Sequence, residues 1–211
     1  MGQFFQFITT GFHGSGAPIM FILVLVGFAG IGLIIERIWF LYFVCGGGGN
    51  NQAFLSGVSK YVNSGEYEKA VKLSQSSNSP QSKVIAAVLK NQGKGLKTVQ
   101  RMVDEIFLQE TPRVIRSLGF LQAFANMAVL IGLAGTIYGF MEAFDSLANV
   151  PAAQRAQALA ASIAIVMSST LWGLIGAITA LLAFAILGQK SESLLEEMDE
   201  KALKLINQIE G

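Results

Sequence analysis

Three long apolar runs constrain this chain more than any other feature of its sequence. The first, residues 17–35, contains no charged side chain, and two further runs cover about residues 118–140 and 156–187. Since an α-helix rises ~1.5 Å per residue, each run is long enough to cross the ~30 Å hydrocarbon core of a bilayer. Hydrophobic residues make up 52% of the chain, charged residues only 14%, and the mean hydropathy is +0.52. The sequence therefore predicts an all-α membrane protein with three transmembrane helices.

The predicted boundaries follow from the composition around these runs. Four glycines at 46–49 end the first helix, because glycine has a low helix propensity. Only a short connection joins the second run to the third, which predicts an antiparallel pair. We predict transmembrane helices at 17–45, 117–145 and 154–188, an extracytoplasmic N-terminal segment at 1–16, a cytoplasmic helical region at 46–116, an extracytoplasmic loop at 146–153 and a cytoplasmic C-terminal helix at 189–211.

The distribution of Lys and Arg predicts the orientation. Ten of these residues lie within 46–116 and three more, Lys190, Lys201 and Lys204, follow the third run, whereas only Arg155 lies between the second and third runs. Positive residues concentrate on the cytoplasmic side of membrane proteins. We therefore expect a multi-pass protein of the bacterial inner (plasma) membrane, surrounded by lipid, with its N-terminus outside and its C-terminus in the cytoplasm. The formal net charge of +1 does not indicate nucleic acid as a partner.

The C-terminal segment carries an apolar face of its own. Residues spaced three and four apart share one side of a helix; here they are Leu194, Leu195, Met198, Ala202, Leu205 and Ile209. Such a face needs a partner, which is either the cytoplasmic helices of the same chain or a neighbouring subunit.

Residues that commonly carry enzymatic chemistry are scarce. The chain has one histidine, His13, and one cysteine, Cys45, which are too few for a metal cluster or a disulfide framework. The predicted spans contain no metal-binding motif, phosphate-binding glycine loop or nucleophile elbow. We therefore expect neither enzymatic activity nor a bound cofactor or metal.

Small residues recur along one side of the second and third predicted helices. Side chains of this size let two helices approach closely, which is a principal source of helix association in lipid. The positions that we assign to helix packing are Ala128, Gly132, Gly135, Gly139, Gly173 and Gly176.

Hydroxyl groups lie near the middle of the same two helices, at Thr136, Ser169 and Thr170. A hydroxyl in a membrane helix often bonds to the backbone of its own helix, which is a structural role. It can also hold water or an ion in a channel, because it both donates and accepts hydrogen bonds. These residues alone leave both roles open.

Two segments that contain these residues resemble a known family. AVLIGLAGTIYGFMEAF at 128–144 and IAIVMSSTLWGLIGAITA at 163–180 are similar to the two core segments of the MotA/TolQ/ExbB family, with their GT pair and their threonine followed by GL. The Glu36–Arg37 pair and GEYEKAVKL at 65–73 resemble the cytoplasmic region of that family. Three spans with an outside N-terminus suit the TolQ and ExbB branches better than four-span MotA.

The resemblance implies an ion-channel (stator) subunit of a motor in the inner membrane. In this family five copies form a ring whose second and third helices line a pore. The pore encloses the helices of a single-span partner, similar to ExbD or TolR, whose membrane aspartate carries the ion. By motif position, Thr136 and Thr170 match the pore threonines of the family. The implied ion is H⁺, with Na⁺ as an alternative, and its flow drives mechanical work or transport at the cell envelope.

The sequence departs from the family pattern at Ile165, where ExbB and TolQ carry a glutamate, and at Val129 and Thr179, where they carry prolines. Without the glutamate, the resemblance implies an ion path that uses hydroxyls of this chain and a carboxylate of the partner. We therefore assign Thr136, Thr170 and Ser169 to the ion pathway. A passive membrane scaffold that docks cytoplasmic proteins remains the alternative function, and the branch of the family, gliding-type relatives included, remains open.

Overall fold

The computed structural model describes residues 17–45 and 50–210. The predictions for the 1–16 segment, His13 and the glycines at 46–49 fall outside that part of the chain. The described residues are mostly helical and contain no strand. The elements are α1 (Ala17–Trp39), a π-helical turn (Phe40–Val44), α2 (Asn50–Asn63), α3 (Tyr67–Ser76), α4 (Pro80–Lys90), α5 (Leu96–Ile115), α6 (Leu118–Leu147), a 3-10 turn (Ala152–Gln154) and α7 (Arg155–Glu210).

Three helical stretches are long and apolar enough to cross a membrane. They are Ile19–Val44, Leu96–Leu147 and Ala152–Ile209, with mean hydropathies of 2.6, 1.7 and 2.2 over their most apolar windows. The predicted all-α fold with three membrane-spanning helices is therefore confirmed.

The helix α7 is longer than the sequence analysis anticipated. It continues without a break from Arg155 to Glu210, so that the residues expected as a separate C-terminal helix prolong the third span. Gly188 does not interrupt it, because the following residues are mostly Glu, Lys, Leu and Ala, which are strong helix formers.

The chain divides into two compact units, which we call the first and the second unit. In the described part, the first unit comprises residues 17–34 and 119–184, and the second comprises 35–118 and 185–210. The second unit has an apolar core to which α2, α3, α4, α5 and the end of α7 contribute. Its buried members are Val58, Val62, Ala70, Val84, Ile85, Val88, Leu89, Val99, Val103, Met198, Ala202, Leu205 and Ile206.

This core supplies the partner of the apolar C-terminal face. Met198 and Ala202 are buried in it, and Leu195 and Ile209 pack against it. The sequence left open whether this face packs against the same chain or a neighbouring subunit. The structure shows that it packs against helices of the same chain.

A buried arginine organises one end of α5 in the second unit. Only 4% of Arg37 is exposed, and its Nη1 donates to the carbonyls of Arg113 and Val114 at 3.2 and 3.3 Å. Its Nη2 donates to the hydroxyl of Ser117. Because α5 ends at Ile115, these carbonyls belong to its last turn, where a positive charge and added donors are favourable. In the sequence, Arg37 is recognisable only as part of a family-like pair with Glu36, whose carboxylate lies 3.4 Å from Nε.

In the first unit, α6 and α7 approach each other through residues that lack side chains. A Cβ atom added to Gly173 would lie 2.5 Å from the carbonyl oxygen of Ala128 and 3.1 Å from the Cα of Gly132. One added to Gly132 would lie 3.1 Å from the carbonyl oxygen of Ser169. Since the neighbouring atoms belong to the backbone, no side-chain movement could make room for a larger residue. Only glycine therefore fits at this contact.

The other predicted packing positions extend this contact unevenly. A Cβ atom added to Gly135 would lie 2.8 Å from the hydroxyl oxygen of Ser169. One added to Gly139 would lie 2.5 Å from a methyl group of Val166. Ala128 is buried in a cluster with Ala125, Ala177 and Ala180. At Gly176, by contrast, the nearest atom would be 3.8 Å away, which is an ordinary contact. Gly176 is therefore not required for the approach of the two helices.

We predict that Gly173→Ala destabilises the protein, because the new methyl group forces α6 and α7 apart. Overpacking of this kind typically costs about 1–3 kcal/mol. The matched control is Gly188→Ala in the same helix, where an added Cβ meets no atom within 4 Å. Thermal unfolding of both purified variants in detergent should show a lower Tm for Gly173→Ala only. Equal Tm values for the two variants would contradict the close contact.

Candidate functional site

The mid-span hydroxyl of Ser169 is buried between α6 and α7. Only 6% of the residue is exposed, and its oxygen lies 2.8 Å from the carbonyl oxygen of Val166 and 3.3 Å from that of Gly132. A hydroxyl has one hydrogen to donate. Ser169 therefore donates this hydrogen mainly to the carbonyl of Val166 in its own helix, and its contact with the carbonyl of Gly132 is weaker.

Thr170 donates its hydroxyl hydrogen across the helix pair. Its acceptor is the same carbonyl of Gly132, at 3.3 Å, which is beyond the usual distance for a strong hydroxyl bond. Ser169 and Thr170 are thus brought together at one backbone oxygen. The lone pairs of the Thr170 hydroxyl oxygen remain able to accept a hydrogen bond.

Thr136 lies apart from this pair. Its hydroxyl donates to the carbonyl of Leu133 in its own helix at 2.6 Å, and the bond is exposed. Thr136 follows Gly132 by four residues, which places it about one helical turn further along α6. The structure therefore brings two of the three predicted ion-pathway residues together and keeps the third on a more exposed side of α6.

Charged side chains are missing from the central parts of α6 and α7. No Asp, Glu, Lys or Arg occurs at residues 118–141 or 156–189, and Glu142 and Asp145 lie near the end of α6. Ile165, at the position of the family glutamate, lies within α7. Among the residues that the structure describes, no group of His, Cys, Asp and Glu could hold a metal ion. The polar groups that this chain offers within these two stretches are therefore uncharged.

Two such groups escaped the sequence analysis. Gln122 and Asn126 are exposed on α6, four residues apart and so on the same side of the helix. Neither amide is hydrogen-bonded to another described residue. The spacing of two amides within an apolar run was a usable signal in the sequence, but only the structure shows that both side chains lie on an exposed side.

The register of α6 relates these amides to Thr136. At 3.6 residues per turn, ten residues separate Asn126 and Thr136 by ~15 Å along the axis and about 80° around it. Gly132 and Gly135, which face α7, lie further round on the buried side. The exposed polar groups of α6 therefore form a line beside its contact with α7 that is interrupted by the exposed apolar residues Val129 and Leu133.

The model of the MotA/TolQ/ExbB proton channel family matches residues 76–200 of this chain. Comparison with curated protein sequences gives no match. The matched region covers more than half of the chain. It includes all of α6, with its line of polar groups, and the part of α7 that carries Ser169 and Thr170. Together with the three apolar helices, this match shows that the chain is a membrane protein that belongs to the MotA/TolQ/ExbB proton channel family.

Proposed function

We propose that this protein is an ion-channel subunit, the stator component of an inner-membrane motor that uses the proton motive force to drive work or transport at the cell envelope. The membership of a proton channel family supports this function. The structural observation that carries it is the pair of exposed amides at Gln122 and Asn126, in a charge-free stretch of α6, which have no hydrogen-bond partner among the described residues.

An amide that faces hydrocarbon without a hydrogen-bond partner is costly, by about 1–3 kcal/mol on the basis of protein mutational data. Within a bilayer, exposed polar groups are therefore tolerated only next to water, protein or a cavity. The side of α6 that carries Gln122 and Asn126 fits an aqueous path or a polar partner better than it fits lipid.

Several copies of the chain could shield these amides, which the described residues of one copy leave exposed. A homo-oligomeric ring, five-membered as in the family, would turn the polar side of each α6 towards a common axis. The exposed apolar residues that lie about 100–120° from Asn126 around the same helix, Phe120 and Met127, would then contact neighbours or lipid. We propose this ring as the functional assembly.

The ion that crosses is H⁺, with Na⁺ as the second candidate, and the titrating group comes from a partner. Since the central parts of α6 and α7 lack a carboxylate, we propose that an ExbD- or TolR-like single-span protein supplies its membrane aspartate within the ring. Thr136 and Thr170 would serve beside it, because both hydroxyl oxygens keep lone pairs that can accept from water or ligate a cation. Ser169, which is buried against α6, would mainly position Thr170.

The competing function is a passive scaffold whose helical second unit docks cytoplasmic proteins. It explains the close contact of α6 and α7 equally well. It does not explain why uncharged polar side chains line an exposed side of a membrane-spanning helix.

We predict that Thr136→Val and Thr170→Val together reduce ion flux by at least about tenfold, which corresponds to ~1.4 kcal/mol in the barrier. Valine keeps the shape of threonine and removes its hydroxyl. The test uses the complex purified from its native membrane, reconstituted in liposomes that contain a pH-sensitive dye. Assembly should persist, because hydrogen bonds between membrane helices contribute only about 0.6 kcal/mol on average. Native mass measurement checks that the subunit number is unchanged.

The matched control is Thr179→Val, since Thr179 is also exposed and donates to the carbonyl of Ile175 in its own helix. It should conduct as the parent does. Parental flux in the Thr136/Thr170 double variant would contradict the proposed ion path. A parent complex that conducts neither H⁺ nor Na⁺ would favour the scaffold.

We predict that the 46–116 region is cytoplasmic and that the connection between α6 and α7 is extracytoplasmic, as the Lys and Arg distribution requires. Gln75→Cys and Asn149→Cys place thiols at exposed positions on the two sides. In spheroplasts, an impermeant thiol reagent should label Asn149→Cys at once and Gln75→Cys only after lysis. The native Cys45 is 4% exposed, so it should contribute little background. The reverse labelling pattern would invert the topology.

A further inference from the structure

The first unit contains an apolar cavity of about 340 Å³ between α1, α6 and α7. Its deep wall is formed by buried residues, among them Met20, Leu23 and Ala128, which are 2–6% exposed. Its rim includes Phe28 and Ile31, which are 71% and 51% exposed. The cavity is therefore an open slot on the side of the helix bundle and not a sealed void.

Glycines create this slot. An added Cβ at Gly27 would meet no atom within 4 Å, although Gly27 lines the cavity. Gly176 on the opposite wall has only one neighbour in ordinary contact distance, the Cβ of Ala128 at 3.8 Å. These positions differ from Gly132 and Gly173, where the missing side chain is replaced by a second helix.

The shape of the slot selects a chain-like occupant. Its lining on α1 extends from Met20 to Ile34, which is ~21 Å along the helix axis. One leaflet of the hydrocarbon core is about 15 Å thick, half of the ~30 Å of the whole core. A slot of this length and modest volume fits an extended hydrocarbon chain better than a compact molecule.

The chemistry of the lining agrees with this shape. The walls are almost entirely aliphatic or aromatic, and the hydroxyl of Thr179 is already bonded to the carbonyl of Ile175 at 2.8 Å. The indole ring of Trp172 forms part of one wall. All three walls belong to helices that are apolar enough to span a membrane, so the surrounding medium that can enter is lipid. The Nε1–H of Trp172 is buried and has no hydrogen-bond partner among the described residues, but one donor is fewer than the two to four polar partners that a buried water needs.

We propose that this slot binds one acyl chain of a bilayer phospholipid, which enters sideways past Phe28 and Ile31. The bound chain replaces the contacts that an empty cavity would lack, and so acts as a structural part of the bundle. This site does not depend on the proposed ion path, and its occupant is distinct from the partner protein and from a neighbouring copy.

Trp172 provides a direct probe, because the chain contains only one other tryptophan, Trp39. In a Trp39→Phe background, the protein is reconstituted in phosphatidylcholine with brominated acyl chains, whose bromine atoms quench indole fluorescence on contact. We expect strong quenching of Trp172 relative to unbrominated lipid. Absence of quenching would overturn the proposal, since an acyl chain in the slot must touch the indole ring.

Filling the slot should remove this effect. Gly27→Leu projects a side chain into the cavity. The matched control is Gly32→Leu on the same helix. Gly32 is exposed and lies outside the lining, and a Cβ added there would also meet no atom within 4 Å. We expect most of the quenching to be lost in Gly27→Leu and retained in Gly32→Leu. Equal quenching in both would show that the indole meets lipid elsewhere, which overturns the proposal.

A second variant tests the slot if Gly27→Leu misfolds, and a second measurement distinguishes a lipid occupant from a protein occupant. Gly176→Val narrows the slot from α7 and should reduce quenching if Gly27→Leu does not fold. A photoreactive benzophenone side chain at Phe28 should form adducts with phospholipid, identified by mass. Adducts with a second copy of this chain would assign the slot to an interface between subunits instead.

Discussion

The rest of the first unit depends on the contact between Gly173 and the backbone of α6 at Ala128 and Gly132. In lipid, apolar side chains gain little by leaving their surroundings, so close packing must supply the association that the hydrophobic effect supplies in water. A contact between backbones maximises that packing. It also brings the Gly132 carbonyl within reach of Thr170, which donates to it across the helix pair, while Ser169 keeps its shorter bond within α7.

This contact decides what the other sides of α6 can do. With one side of α6 committed to α7, Gln122 and Asn126 are left on a side that the described part of the chain does not cover. A soluble protein could leave such amides in water without cost. A membrane-spanning helix cannot, and the unpaired amides therefore constrain the surroundings of the protein more strongly than its many exposed apolar residues do.

Much of the fold could be predicted from the sequence because the membrane imposes simple rules on length and polarity. The three apolar runs and the apolar face at Met198 and Ala202 all depend on local pattern. The burial of Arg37 could not be predicted, since its acceptors on Arg113 and Val114 are more than seventy residues away in sequence. The sharing of one Gly132 carbonyl by Ser169 and Thr170 was equally hidden, because it depends on how two helices are aligned.

Glycine itself shows why residue type does not decide a role. At Gly173 the absent side chain is replaced by the backbone of α6, so the residue creates contact. At Gly27 nothing replaces it, so the same residue creates space. Its spacing in the sequence grouped Gly176 with the glycines that create helix contact. In the structure Gly176 lines the cavity, and an added Cβ would have only one neighbour at ordinary contact distance, so it belongs with the glycines that create space. A glycine stripe in a membrane helix therefore predicts either a partner helix or a site for lipid, and only the position of the facing helix distinguishes them.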